Sequence, residues 1–192
     1  MTTIGLIRHG ITEWNLLGKA QGISDIPLNE TGREQAERLG ERLAGEEAWD
    51  LIIASDLCRA SETADIIGSK IGLSLHHTDE TIREVNCGEA EGMTEEQRLE
   101  KWGKEWRSRA LGMEKHEDVA SRGVRFLEGV VHKYEGKRVL VVSHGALIGL
   151  TLKRLMPDTF QQTNMENTSI TVLHHHEDRW DCSLYNCSKH LI

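Results

Sequence analysis

Two spacings of apolar residues divide this chain. Short unbroken apolar runs at residues 4–7, 51–54 and 139–142 are too brief for helices and read as buried strands. A weaker run at 73–75 predicts a short strand, and runs at 169–173 and 180–185 predict two late strands joined through Glu177-Asp178. Between the runs, apolar positions fall at helical spacing. Ala36, Leu39 and Leu43 share a face opposite Arg33, Glu37 and Glu41, and Thr31 followed by Glu34 predicts a capping box at the start of that helix. Further helices are predicted over 56–71, over 93–110 with Trp102 and Trp106 on one face, over 119–134 with Val119, Val124, Leu127, Val130 and Val131 inward, and over 146–155, ended by Pro157. Residues 15–26 and 81–92 read as loops, and 111–118 as a polar break. Strands alternating with helices predict an α/β fold of three layers, a mostly parallel central sheet flanked by helices. With no repeat, linker or low-complexity tract, the 192 residues read as one domain, 1–192.

The ends of two predicted strands carry the chemistry. The first runs into Arg8-His9-Gly10 and the later one into Ser143-His144-Gly145. Ligands of open α/β sheets sit beyond the carboxyl ends of the strands, so His9 and His144 are expected to face one pocket. Arg59 falls in the first turn of a helix, where the dipole is already positive, and a cation there calls for an anion. Taken singly, Arg59 also fits a solvated surface arginine, and Gln21-Gly22 an ordinary turn. Taken together, Arg8, Arg59, His9 and His144 make a cradle for a doubly charged tetrahedral anion, because the planar guanidinium fork matches phosphate oxygens. Backbone N–H groups near Gly10 and Gly145 are expected to add donors, the latter at a helix N-terminus. A neutral imidazole is a nucleophile, and a phosphohistidine splits one difficult displacement into two easier ones. Departure of the alcohol needs an acid, which Glu84 on the Arg83-Glu84 loop is placed to supply; once ionised it can activate water.

Composition narrows the partners. A formal charge of -8 argues against a nucleic-acid or acidic-membrane surface, which needs a basic face. No apolar run approaches the ~20 residues of a membrane span, and the first residues lack the pattern of a secretory leader. Cys58, Cys87, Cys182 and Cys187 form no CxxC pair and read as free thiols of a cytoplasmic protein. His174-His175-His176 lies on a predicted strand, whose neighbouring side chains face opposite ways, so the triplet does not read as one metal site. The expected partner is a small phosphorylated metabolite; the resemblance set out next implies that it is handled with no metal and no cofactor.

Arg8-His9-Gly10 with Thr12, Trp14 and Asn15 resembles the RHGxTxWN opening of the histidine phosphatase superfamily, the phosphoglycerate mutase-like proteins. The likeness continues in order through Gln21-Gly22, Asp25-Ile26-Pro27-Leu28-Asn29, Ser55 to Ala60, Arg83-Glu84, Glu91-Gly92 and Ser143-His144-Gly145. It implies the phosphoglycerate mutase-like fold and metal-independent hydrolysis of phosphomonoesters. It implies roles as well: His9 as the phosphorylated nucleophile, Arg8, Arg59 and His144 on the phosphoryl oxygens, Asn15, Gln21 and Gly22 lining the pocket, and Glu84 as proton donor. The stretch from Asn86 to Met93 departs from the mutase pattern and looks like the broad phosphatase branch, with Cys87 and Ala90 where that branch has an aromatic and a tryptophan. Lys115 stands where relatives carry a hydroxyl, which implies a preference for substrates with a second anionic group. Two other readings remain: a cofactor-dependent phosphoglycerate mutase, and a catalytically silent phosphate-binding or docking module. Relatives make a homodimer the assembly to test.

Overall fold

The computed structural model describes residues 1–192. Strands β1 (Thr2–Arg8), β2 (Leu51–Ala54), β3 (Leu75–Thr78), β4 (Arg138–Ser143), β5 (Ile170–His176) and β6 (Arg179–Cys187) form one sheet in the order β3-β2-β4-β1-β5-β6. The first four of that order are parallel, and β5 and β6 run antiparallel at one edge. The helices are α1 (Glu13–Leu16), α2 (Glu30–Ala44), α3 (Cys58–Ile71), α4 (Glu95–Trp102), α5 (His116–Lys133) and α6 (Gly145–Leu155).

Strand alternation divides the core between two faces. Ile4 and Leu6 of β1, Ile53 of β2 and Val139 and Val141 of β4 pack with Val119, Leu127, Leu147, Ile148 and Leu152 of α5 and α6. Ile7, Ile52, Ala54, Leu140 and Val142 point the other way, onto Leu39, Leu43, Ala60, Ala64 and Ile67 of α2 and α3. Each large aliphatic side chain so buried contributes about 1.5–3 kcal/mol by leaving water. The result is the expected three-layer architecture.

The connection after β1 passes over the α2/α3 face, and the one after β4 over the α5/α6 face. The two strands are neighbours, so the crevice between their carboxyl ends is a topological switch point. Their register pairs Arg8 with Ser143, and the His9 N–H continues the ladder to the Ser143 carbonyl at 2.9 Å. His9 and His144 therefore leave the sheet side by side.

Four local expectations shift. The second helix is capped by Asn29, whose side chain accepts the Gly32 N–H at 2.9 Å, so it starts at Glu30 and Thr31 lies inside it. The third strand begins at Leu75, because the Leu73 N–H bonds the Gly68 carbonyl and completes the end of α3 around the left-handed Gly72. The helix expected over 93–110 stops at Trp102, where Gly103 at φ 78 turns the chain. Trp106 then sits in a separate short turn and packs with Ala90 and Leu111, with Trp102 against them; core packing holds, the shared helical face does not. Finally, the loop after β1 contains the single turn α1, capped by Thr12 and Asn15 in a reciprocal box.

Candidate active site

His9 is buried and fixed by one hydrogen bond, from Nδ1 to the Gly10 carbonyl at 2.7 Å. A carbonyl only accepts, so Nδ1 carries the proton and Nε2 keeps its lone pair. Burial, then Arg59 and Arg8, hold the imidazole well below the usual histidine range. The ring is thus neutral and nucleophilic at physiological pH.

Arg8 comes from the last residue of β1 and Arg59 from the first turn of α3. Arg59 is fully buried; its two terminal nitrogens donate to the carbonyls of Ser24 and Gly22, each at 2.8 Å. Arg8 donates to the Met165 carbonyl. Neither guanidinium has a carboxylate within ion-pair distance, although eleven ion pairs form elsewhere. The Nε atoms of both are buried with no partner. Burial pulls both guanidiniums below their ordinary value, and Glu84 opposes it. Two desolvated cations without counter-ions are costly, and an anion placed between them recovers that cost.

The His144 ring lies 5.2 Å from that of His9, centroid to centroid. Its Nε2 meets the Ser55 hydroxyl at 2.8 Å, while Ser55 Oγ also accepts the Leu57 N–H. These are the hydrogen bonds of the Ser55 hydroxyl, and the other ring nitrogen of His144, Nδ1, is buried with no partner. Burial, then Arg59 and His9, lower its pKa well below the usual value.

Glu84 caps helix α6. Its Oε1 accepts the N–H groups of Val85 at 2.9 Å and Leu147 at 3.0 Å, and Oε2 accepts that of Ala146 at 3.1 Å. Oε2 receives one donor and so keeps a site for a proton. The loop holding Glu84 is fastened from behind by Arg122 of α5. That guanidinium donates to the carbonyls of Thr81, Arg83 and Glu84 at 2.7, 2.7 and 3.1 Å, and to both oxygens of Glu114. Glu114 in turn accepts the Asn86 N–H, and Arg122 holds its carboxyl below the usual range.

A cavity of about 270 Å³ opens here, with Arg8, His9, Asn15, Gln21, Arg59 and Glu84 in its wall. Thr12 aligns two of these: its hydroxyl donates to Gln21 Oε1 at 2.8 Å and accepts the Asn15 N–H at 3.2 Å. Gly22, also in the wall, has φ 52, and a Cβ there would lie 2.0 Å from Glu91 Oε1. Glu91 collects the N–H groups of Ile23, Ser24 and Cys87, so it shapes the loop whose carbonyls hold Arg59. A wider groove of about 750 Å³ lies at the opposite end of β1, beside Met1 and Thr2. Its charged side chains are Glu128, Glu135, Glu177 and Asp178 with no lysine or arginine, which suits no phosphoryl anion.

The family model of the histidine phosphatase superfamily (branch 1) matches residues 4–188. The chain belongs to that superfamily. Among relatives of this histidine phosphatase, the uncharacterized phosphatase PhoE of Bacillus subtilis is 36% identical over 193 residues, covering 100% of this chain and 97% of that protein. A solved mutant of phosphoserine phosphatase from Entamoeba histolytica, in complex with phosphoserine, is similar with a TM-score of 0.83 at 30% identity over 100% of both chains. The same enzyme with 3-phosphoglyceric acid gives a TM-score of 0.84, again at 30% identity over 100% of both. No helix of the chain is long and apolar enough to cross a membrane.

Seven of the nine site residues expected from the sequence converge directly on the cavity of this histidine phosphatase. Two stand behind it. His144 lies under His9, and Gly145 packs against Arg8, whose Nε would be 3.2 Å from a Cβ at that position. The N–H donors expected near the two glycines are used otherwise: that of Gly10 goes to Thr63 Oγ1 at 3.0 Å, and those after Gly145 go to Glu84. Lys115 is exposed as the N-cap of α5 and is absent from the wall, while His116, one residue on, is in it. Lys19, Arg122, Glu114, Glu91 and Asn167, which donates to the His9 carbonyl at 3.0 Å, were not legible as site residues. Of these, Glu91 alone left a signal, as part of the Glu91-Gly92 likeness to the superfamily.

Proposed function

We propose that this chain hydrolyses small phosphomonoesters through a phosphohistidine on His9, with Glu84 as general acid and then general base, in one histidine phosphatase domain spanning residues 1–192. The observation that carries it is the free Nε2 of His9 in a cavity wall shared with Arg8 and Arg59, two guanidiniums that no carboxylate answers. A phosphoryl dianion supplies the charge that both guanidiniums lack.

In the first half-reaction the Nε2 lone pair attacks phosphorus, the P–N bond forms and the ester P–O bond breaks. Glu84 gives its proton to the departing alkoxide. In the second, Glu84 takes a proton from water, the water oxygen bonds phosphorus, the P–N bond breaks and orthophosphate leaves with His9 neutral again. Arg8 and Arg59 hold the equatorial oxygens, which gain charge in each transition state, with His144 behind the His9 ring. Relatives that hold phosphoserine and 3-phosphoglycerate support a small phosphorylated metabolite as substrate.

The test is phosphate release from p-nitrophenyl phosphate, 3-phosphoglycerate and sugar phosphates in the presence of a chelator, with His9→Ala alongside. Release by the native protein and a loss of at least about 10³-fold in the variant are expected. Equal release by both would contradict the assignment, and conversion of 3-phosphoglycerate to its 2-isomer without release would make the protein a mutase.

A further inference from the structure

Behind the cavity wall, the main chain of His9 is held by a segment to which the phosphoryl chemistry assigns no part. The ladder between β1 and β5 ends at the pair Ile7 and Ile170, one residue before Arg8. Past that point the turn leading into β5 takes over. Thr168 donates its N–H to the Arg8 carbonyl at 2.9 Å and to the His9 carbonyl at 3.3 Å, and Asn167 Nδ2 donates to the His9 carbonyl at 3.0 Å. The Ser169 carbonyl accepts the Arg8 N–H at 3.3 Å. The His9 N–H goes the other way, to Ser143 of β4, so the main chain of the nucleophile is gripped from both sides.

Thr168 makes these bonds from an unfavourable conformation. Its φ is 52, in the left-handed region, where a β-branched residue is an outlier. Such a residue persists only where its surroundings over-determine it, and such residues cluster at functional sites. Thr168 is fully buried, and its hydroxyl donates to the Asn167 carbonyl at 2.8 Å. That hydroxyl therefore accepts from Nε2 of His190 at 3.0 Å. His190 belongs to the short turn Lys189–Leu191, which packs on α2. Burial, then Arg42 and Arg38, push its imidazole down to about 4. The ring is neutral at physiological pH with its one proton on Nε2, and Nδ1 is buried with no partner. This histidine thus spends its single side-chain donor on the residue that grips the nucleophile.

We propose that His190 is a positioning residue: by fixing Thr168 in its left-handed conformation it sets the main chain of His9, and with it the line of Nε2 toward phosphorus. This rests on the phosphatase reading and adds to it a residue from the far end of the chain.

The experiment compares His190→Ala with His190→Gln, whose amide N–H replaces the Nε2 donor, each assayed as the full chain below its own Tm. His190→Ala is expected to lower kcat for p-nitrophenyl phosphate about tenfold with KM nearly unchanged, since a misplaced nucleophile weakens attack and not binding. His190→Gln is expected to recover most of that loss. Thr168→Val removes the hydroxyl and keeps the shape, and His190→Ala in that background is expected to add no further loss, as for two residues that act as one unit. The proton on Nδ1 of His9, bonded to the Gly10 carbonyl, gives a reading that needs no turnover. Its low-field proton resonance, assigned by its absence in His9→Ala, is expected to shift and to exchange faster with solvent in His190→Ala, and to return in His190→Gln. That response in a native protein without turnover would sink the phosphatase reading and leave the positioning standing. Native kcat and an unmoved resonance in His190→Ala, a loss that His190→Gln fails to restore, or losses from His190→Ala and Thr168→Val that multiply, would overturn the positioning.

Discussion

Four arginines lie in or behind the crevice, and they divide into two pairs with opposite surroundings. Arg83 and Arg122 are answered by the chain itself, Arg83 by Asp56 and Arg122 by Glu114. Arg8 and Arg59 are more deeply placed and have no carboxylate partner, only carbonyls and buried nitrogens with nothing to bind. A guanidinium with its own carboxylate is a structural fastener. One held desolvated without a counter-ion is a binding device, because the ligand supplies the missing charge. The same chain thus uses one side chain type both to fasten the loop that carries Glu84 and to leave two positive charges unanswered in the crevice.

The sharpest way to break this comparison is to replace one arginine of each kind. Arg59→Met is expected to lower kcat/KM by about 10³-fold, since it removes charge aimed at the transferring oxygens. It also strands the Ser24 and Gly22 carbonyls, so its Tm is expected to fall somewhat, while the rise in Tm that vanadate gives the native protein disappears. A native-like response to vanadate in Arg59→Met would place the anion elsewhere.

Arg122→Met is expected to show the reverse pattern with a smaller catalytic effect. It strands Glu114 and three loop carbonyls, which costs about 2 kcal/mol of stability read as a lower Tm. Glu84 loses its backing, so kcat falls about tenfold with KM nearly unchanged, and vanadate still stabilises the variant. Arg122→Lys should recover little, because one ammonium cannot reach the carbonyls and the carboxylate together. Loss of vanadate binding in Arg122→Met with kcat intact would erase the distinction between the pairs.

Arg8 and Arg59 stood out in the sequence and the two paired arginines did not, for a physical reason. Arg8 sits directly on the end of an apolar run and Arg59 in a helix first turn, so local order alone places both at strand ends. Arg122 acts on residues about 40 positions away, at Thr81 and Arg83, and only the fold brings these together. The fold class followed from alternating strands and helices for the same reason that Arg8 did: each buried run declares itself locally. Boundaries set by competition between neighbours were harder. Asn29 outranked Thr31 as a cap, and Gly103 ended a helix that the two tryptophans seemed to continue. Lys115 is the N-cap of α5, and it is the next residue, His116, that enters the cavity wall.

The central claim is that the anion held by the unanswered arginines is transferred to Nε2 of His9. Rapid quenching of the native protein with a labelled phosphomonoester, under alkaline conditions that preserve phosphohistidine, tests it directly. The account predicts label on the peptide carrying His9, formed and lost at rates that sustain turnover and absent from His9→Ala. Label on the peptide carrying His144, or steady turnover with no labelled histidine at any time point, would contradict it.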